Sequence, residues 1–298
     1  MKTVSIISVN YNQPEITLEF LASVYRSVNT DTTEIIVVDN GSEPNKIEEW
    51  KISYPDVLFI RSELNIGFAA GNNIGIRQAS GKYLFLVNND TEINPELIPT
   101  LVQLLDTNPK VGIVSPKIRY FHHPELIQYA GFSPINWYTG RNKCIGQFEK
   151  DNGQYDNYTG ETAYIHGAAM LLRKEVIDSA GLMPEDYFLY YEEMDWCEQI
   201  RKAGYQIWIE PKALIYHKES ASVGKLSPLK EYYMTRNRIL FVRRNASPFA
   251  SVVFKIYYCL VVVPKTTVLH FLAFRLNLLK AFYQGLITGL LADKFHKK

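Results

Sequence analysis

The stretch Tyr83-Leu84-Phe85-Leu86-Val87-Asn88-Asn89-Asp90 decides how the rest of the chain is read. Five largely apolar residues, with Gly81 before them, run straight into three polar ones, and Thr91-Glu92 follow. A short run of strand formers of this kind reads as a buried strand, with Asn88, Asn89 and Asp90 at its carboxyl end. Open α/β sheets take their ligands beyond the carboxyl ends of the strands. A carboxylate placed there can hold a divalent cation, and the cation can hold phosphates. Asp90-Thr91-Glu92 equally suits a cap for the following helix, and this stretch alone does not separate the two readings.

Toward the N-terminus the same pattern repeats. Val4–Val9 reads as a strand ending in Asn10-Tyr11-Asn12-Gln13-Pro14, and Pro14-Glu15 suits a first helical turn. Leu18, Leu21, Ala22 and Tyr25 give a helix over 16–28 its apolar face. Glu34–Asp39 is a β-branched strand that also ends in an acid, with Asn40-Gly41-Ser42 as its turn. A helix over 46–52 and a strand over 57–61 follow. Polar residues thus recur where strands stop, as in a parallel sheet covered by helices on both faces. Between the third and fourth strands, Gly67, Gly71 and Gly75 are spaced four apart, so one side of a helix is small enough for close approach. Asn72 and Asn73 put two amides in that helix, where amides are poor formers, and call for a ligand or a neighbouring loop as hydrogen-bond partner. Neither G-x-G-x-x-G nor G-x-x-x-x-G-K-[ST] is present.

Downstream, Asn94-Pro95-Glu96 caps a helix to about 106, and 111–115 reads as a strand. Residues 119–162 mix aromatic, Gly and polar residues without a period and read as loops and short strands around a pocket. Buried character returns over 165–172. Arg173-Lys174-Glu175 starts a helix through Ala180 that ends at Gly181. Glu192, Glu193 and Asp195 then crowd three acids into four positions at the start of a helix over 194–203. Acids at a helix N-terminus have a structural use. Acids crowded beside Phe188, Tyr190 and Tyr191 also suit a general base. Gln206–Ile209 and Leu214–His217 read as two short strands around Pro211, and His217 at a strand end is either a satisfied polar residue or a metal or phosphate ligand. A helix over 228–244 has a basic side.

The totals bound the rest. The 298 residues are 47% hydrophobic, with 32 Lys+Arg against 31 Asp+Glu, a balance that argues against a nucleic-acid partner held by bulk charge. Residues 250–298 hold seven basic residues and one acidic, a net of +6, which leaves the remainder at about −5. Cys144, Cys197 and Cys259 are far apart and form neither a disulfide framework nor a metal knot, so a reducing compartment is expected. The opening apolar run is too short for a signal peptide. In the tail, Ser251 and Lys255 interrupt the apolar stretch 249–264, and His270, Arg275 and Asn277 interrupt 268–279, so neither reaches about 18 unbroken residues. The expectation is amphipathic helices lying in a membrane interface on the cytoplasmic side, or else a dimer interface or a core hairpin.

Taken together, S-V-N-Y-N (8–12), V-V-D-N-G-S (37–42), N-I-G-F-A-A-G-N-N-I-G (65–75), L-V-N-N-D-T (86–91), H-G-A-A-M-L-L-R (166–173), F-L-Y-Y-E-E-M-D-W-C (188–197) and Y-Y-M-T-R-N-R (232–238) resemble glycosyltransferase family 2, in order and over about 4–240. The resemblance is to its rhamnosyltransferase-like branch. It implies an α/β protein of GT-A fold: one Rossmann-like, mostly parallel sheet flanked by helices over 1–245, with a C-terminal amphipathic helical extension over 246–298. It implies an inverting transfer from a nucleotide-diphosphate sugar, dTDP-L-rhamnose foremost and hexose or galactofuranose donors otherwise, to a glycan or lipid-linked acceptor in bacterial surface polysaccharide synthesis. Carried over by motif, Val9, Asn10, Tyr11, Asp39, Asn65, Gly71, Asn72, Asn88 and Asn89 line the donor site. Asp90, helped by His217, holds Mg²⁺ or Mn²⁺ where the family's D-x-D reads Asn88-Asn89-Asp90. Glu193 stands where the family's base Asp stands, with Asp195 as rival. A sugar nucleotidyltransferase, a non-catalytic glycan-binding relative and a lipid-associated structural protein are the alternatives.

Overall fold

The computed structural model describes residues 2–218 and 227–291. In chain order the elements are β1 (Val4–Asn10), α1 (Pro14–Ser27), β2 (Thr33–Asn40), α2 (Ile47–Ser53), β3 (Val57–Ser62), α3 (Phe68–Gln78), β4 (Tyr83–Val87), β5 (Thr91–Glu92), α4 (Leu97–Thr107), β6 (Val111–Tyr120), β7 (Ile127–Tyr129), β8 (Gly160–Glu161), β9 (Ala169–Arg173), α5 (Val176–Ala180), α6 (Glu192–Lys202) and β10 (Gln206–His217). After these come α7 (Pro228–Asn245), α8 (Pro248–Tyr257), a π-helical turn (Tyr258–Val262), α9 (Val263–Leu272) and α10 (Leu276–Leu291).

One sheet runs β3-β2-β1-β4-β9-β6-β10-β5, with β7 added beside β6 and β8 beside β10. The half from β3 to β4 is parallel, as the repeated strand–helix pattern requires. The other half is mixed, because β9 enters antiparallel between β4 and β6. That insertion positions the site. Its register sets Ala169 opposite Val87, so the turn before β9 stands beside Asn88–Asp90. The buried side chains of β1, β2, β4, α1 and α4 form one continuous core. Helix α3 sits unusually close to the sheet: a Cβ on Gly75 would lie 2.4 Å from Cγ2 of Ile7.

Several expectations need correction. Gln206–Ile209 and Leu214–His217 are one strand, β10, whose pairing with β6 shifts register between Glu210 and Leu214. Pro211 falls within that irregularity, where a missing N–H costs no ladder bond. Strand β6 continues past Ser115 to Tyr120. Residues 165–168 lead into β9 without regular structure, with His166 and Gly167 only partly buried, and α6 begins at Glu192.

The chain divides into two units: 1–133, 144–188 and 192–222 form unit 1, and 134–143, 189–191 and 223–298 form unit 2. Unit 1 contains the sheet. In unit 2, α7 and α10 pack through glycine, where a Cβ on Gly285 would meet the Tyr232 carbonyl oxygen at 2.5 Å. The reading of the tail as short interrupted stretches also needs correction. Pro248–Leu272 is one continuous helical run of 25 residues with mean hydropathy 1.6, long and apolar enough to cross a membrane. Pro264 does not end it, because it follows the π turn, where Val263 N–H bonds to Tyr258 O and the regular pairing is already altered. The tail's Lys294, Lys297 and Lys298, and Glu219-Ser220 after His217, lie outside the described residues.

Candidate active site

The carboxyl ends of β1, β2 and β3 carry a polar lattice. Asn10 donates from Nδ2 to Asp39 Oδ1 (2.8 Å) and to Ser42 Oγ (2.9 Å). Arg61 donates to the other Asp39 oxygen at 2.8 Å. Asp39 is only 1% exposed, so both of its oxygens are fixed by the chain itself. Thr17 Oγ1 donates to Asn10 Oδ1 (3.0 Å), and Asn89 Nδ2 donates to Thr17 Oγ1 (2.8 Å), which ties the end of β4 to the end of β1. Asn65 accepts from Asn40 Nδ2 at 3.1 Å. Gly71 packs closely on Val9: a Cβ there would lie 3.0 Å from Val9 Cγ1. Tyr11, just past β1, is exposed. Val9, Asn10, Tyr11, Asp39, Asn65, Gly71 and Asn89 therefore share one edge of the sheet.

The amides of α3 have partners within the protein. Asn72 is buried and donates to Phe68 O of its own helix at 2.9 Å. Asn73 donates to Met183 O (2.8 Å) and accepts from Met183 N (3.1 Å), so it holds the loop before α6. Of the two partners that these amides required, a loop is what Asn73 has.

Beyond β4, Asn88 N donates to Ala168 O at 2.9 Å. Asp90 Oδ1 lies 3.0 Å from His217 Nε2, since antiparallel β5 pairs His217 with Thr91. His217 is 6% exposed, and its Nδ1 contacts Gln128 Oε1 at 2.8 Å. A carbonyl oxygen accepts only, so Nδ1 donates. In a neutral ring Nε2 then offers a lone pair toward the Asp90 carboxylate. Two acceptors face each other there unless a proton or a cation lies between them. Burial pushes the Asp90 carboxyl up, but the charge and hydrogen bond of His217 outweigh it and hold the group below the ordinary carboxylate value. His166 completes this wall. Its ring centroid is 6.0 Å from that of His217, and its Nδ1 accepts from Ala168 N at 3.1 Å. Burial first, then the charge of His217, pushes its pKa down to about 3, so the ring is neutral.

A divalent cation fits these donors. Adjacent ligands of an octahedral ion at roughly 2.1 Å lie about 3.0 Å apart, the spacing of Asp90 and His217. Gln128 orients the ring as partners of metal-bound histidines do. No group of three or more His, Cys, Asp or Glu suited to a metal occurs among the described residues. A cation here would take two protein ligands from the pair and would need its others from a bound ligand and water, as is usual for Mg²⁺ sites.

The three acids of α6 differ in exposure. Glu192 (3%) and Asp195 (2%) are buried, while solvent reaches Glu193. The Glu193 carboxyl carbon lies 3.9 Å from where a Cβ on Gly167 would sit, in the turn that holds His166. The turn before β9 therefore has Glu193 on one side and His217 on the other. Gln128, Arg61, Thr17 and His166 were not among the residues singled out by sequence. Arg61 was within reach, being another polar residue at a strand end. Gln128 lies in the aperiodic 119–162 region and carries no sequence signal.

The sequence profile described as Glycosyl transferase family 2 matches residues 5–180. The chain belongs to this family. It is 27% identical over 245 residues to the low-salt glycan biosynthesis hexosyltransferase Agl10 of Haloferax volcanii, covering 79% of this chain and 74% of that one. It is 24% identical over 266 residues to the dTDP-rhamnosyl transferase RfbF of Shigella flexneri, covering 86% and 85%. Among solved structures it is similar to the mannosyltransferase PcManGT from Pyrobaculum calidifontis in complex with GDP-Man and Mn²⁺, with a TM-score of 0.59, 16% identity, and 99% and 88% of the chains covered. The fold of this family 2 glycosyltransferase is the GT-A-like mixed α/β arrangement with a C-terminal helical extension. Its activity is transfer of a sugar from a nucleotide-diphosphate donor to an acceptor, of the inverting type.

Proposed function

We propose that the Glu193 carboxylate is the base of this transfer and that the Asp90–His217 pair holds the cation. The carrying observation is that Glu193, alone among the crowded acids in being open to solvent, shares the 166–168 turn with the Asp90–His217 wall. Glu193 takes the proton of the acceptor hydroxyl as that oxygen bonds to the anomeric carbon. The bond from that carbon to the phosphate oxygen breaks on the opposite face, and its electron pair leaves with the nucleoside diphosphate. The configuration therefore inverts in one step, with no covalent sugar adduct. Mg²⁺ or Mn²⁺, when bound at Asp90 and His217, offsets charge on the leaving diphosphate. Asp195, being buried, is not the base in this reading. The lattice around Asn10, Asp39 and Arg61 receives the nucleoside, with Tyr11 free to stack on the base and Asn65, Gly71, Asn88 and Asn89 shaping the cleft. Asn72 contributes by holding α3.

The donor we propose is dTDP-L-rhamnose, in keeping with the likeness to RfbF, and the acceptor is a lipid-linked glycan of a bacterial surface polysaccharide. The likeness to Agl10 favours a hexose donor as the second reading. The apolar run Pro248–Leu272 would place the enzyme on the inner face of the cell membrane. The test is a panel of dTDP-rhamnose, UDP-glucose, UDP-galactose, UDP-galactofuranose, UDP-N-acetylglucosamine and GDP-mannose, each with Mg²⁺, Mn²⁺ or EDTA. One donor bound and slowly hydrolysed only with metal is the expected result. A folded protein that binds no donor under any condition defeats the proposal.

A further inference from the structure

Unit 2 contains a cavity of about 280 Å³ that the donor chemistry does not use. One face of α7 lines it with Lys230, Glu231, Met234 and Arg238. The long apolar run contributes Tyr258, Val262 and Thr266, and α10 contributes Leu278 and Phe282. Arg141 stands at the same cavity. Three cations therefore meet one carboxylate, and Glu231 already faces His270 Nε2 at 3.7 Å. Among the described residues, Arg238 makes one side-chain hydrogen bond, from Nε to the Tyr191 hydroxyl at 3.0 Å. Lys230 makes only a contact with the Tyr190 ring, 5.9 Å from its centroid. Neither cation has a carboxylate in ion-pair reach among those residues. A guanidinium with free N–H donors beside an ammonium is a receptor for a phosphate group. Met234, Val262, Leu278 and Phe282 make the apolar part of the wall, and Ser227, Thr235, Tyr258 and Thr266 add hydroxyls. The helix that supplies Tyr258, Val262 and Thr266 also carries Leu260, 72% exposed, and Phe271, 63% exposed.

We propose that this cavity binds the phosphate or diphosphate head of a lipid, the anion against Lys230 and Arg238 and the first segment of its chain against Met234, Val262 and Phe282. The volume suits a head group and not a glycan, since whole small-molecule sites run to roughly 300–1,000 Å³. The exposed apolar run continues the path for the rest of the chain. The inference rests on the lipid-linked acceptor proposed above and assigns it a site.

The test is calorimetric titration of the full chain with farnesyl diphosphate, farnesol and inorganic pyrophosphate, below the micelle concentration. Farnesyl diphosphate is expected to bind about tenfold or more tightly than either fragment. Lys230→Gln and Arg238→Gln should each weaken it by about tenfold, the size of one charge-assisted hydrogen bond. Met234→Trp should abolish binding by filling the cavity with every charge in place, and Arg238→Lys, which keeps the charge, should retain more affinity than Arg238→Gln. Pyrophosphate binding as tightly as the lipid would mean a free-anion site, and farnesol binding as tightly would mean an apolar patch. Either result overturns the proposal, as do variants that bind like the parent. Binding of UDP and dTDP with Mn²⁺ by the unmodified chain, run alongside, reports the donor site separately, so the two readings fail independently.

Discussion

Glu193, His217 and His166 make separable claims, because each acts by a different physical effect. Glu193→Gln keeps size and loses the proton acceptor, so turnover should fall by about 10²–10⁴-fold while donor affinity, measured by calorimetry, stays within a factor of a few. Equal loss of binding and turnover would remove Glu193 from the base role. Gln128→Leu frees the His217 ring, and the affinity for Mn²⁺ in the presence of nucleoside diphosphate should fall roughly 10–100-fold. For His166, the folded value of about 3 lies below the ordinary 6.5, so the unfolded chain binds more protons between those limits. The stability from its neutral ring is complete above about pH 6.5 and is lost as pH falls toward 3. Solvent reaches part of the ring, which trims the effect to about 1–2 kcal/mol between pH 7 and pH 5. His166→Asn, which keeps an acceptor for Ala168 N, should flatten that dependence in urea unfolding at the two pH values. At this scale the sequence was partly legible. Asp90, His217 and Glu193 stood out as chemistry-bearing groups at strand and helix ends. Gln128 and the neutral His166 did not, because their meaning comes only from what an antiparallel strand brings beside them.

Helix α3 lies against β1 with no room for a methyl group at Gly75. Gly75→Ala should therefore destabilise the protein by roughly 1–3 kcal/mol, despite alanine being the better helix former. Ile7→Ala, which removes the Cγ2 that a Cβ on Gly75 would meet, should cost less in the Gly75→Ala chain than in the parent, and a double-mutant cycle by urea unfolding measures the coupling. Additive effects would mean that α3 moves outward freely. The elements themselves were legible wherever periodicity was strong, as in the run of strands and helices from β1 to α4. The exceptions share a cause. The long β10 reads as two pieces because Pro211 breaks the pattern, yet a register shift absorbs it. Strand β9 gives no sign in its own residues that it runs antiparallel between two strands far apart in sequence.

For the whole molecule, the exposed apolar residues of the run Pro248–Leu272 call for a surface that accepts them. Sedimentation with vesicles should carry down the full chain, and Leu260→Ser with Phe271→Ser should release it. Burying such a side chain contributes about 1.5–3 kcal/mol, so each change lowers partitioning by an order of magnitude or more. If the double variant still sediments, the apolar run is not the anchor. The helical extension was visible as composition but not as a single helix, since Lys255 and Pro264 looked like breaks. The π turn at Tyr258–Val262 has a further consequence. It inserts a phase slip into the helix: the residues after it are rotated relative to those before by an amount that an uninterrupted α-helix would not produce. Each residue of an α-helix subtends about 100°. Deleting one residue from the turn would restore α pairing and keep Thr266 at the cavity, whereas holding all of its residues in an uninterrupted α-helix would swing Thr266 about 100° away and bring a different stripe of side chains to face it. Composition would report the same helix, while its two faces would have exchanged neighbours.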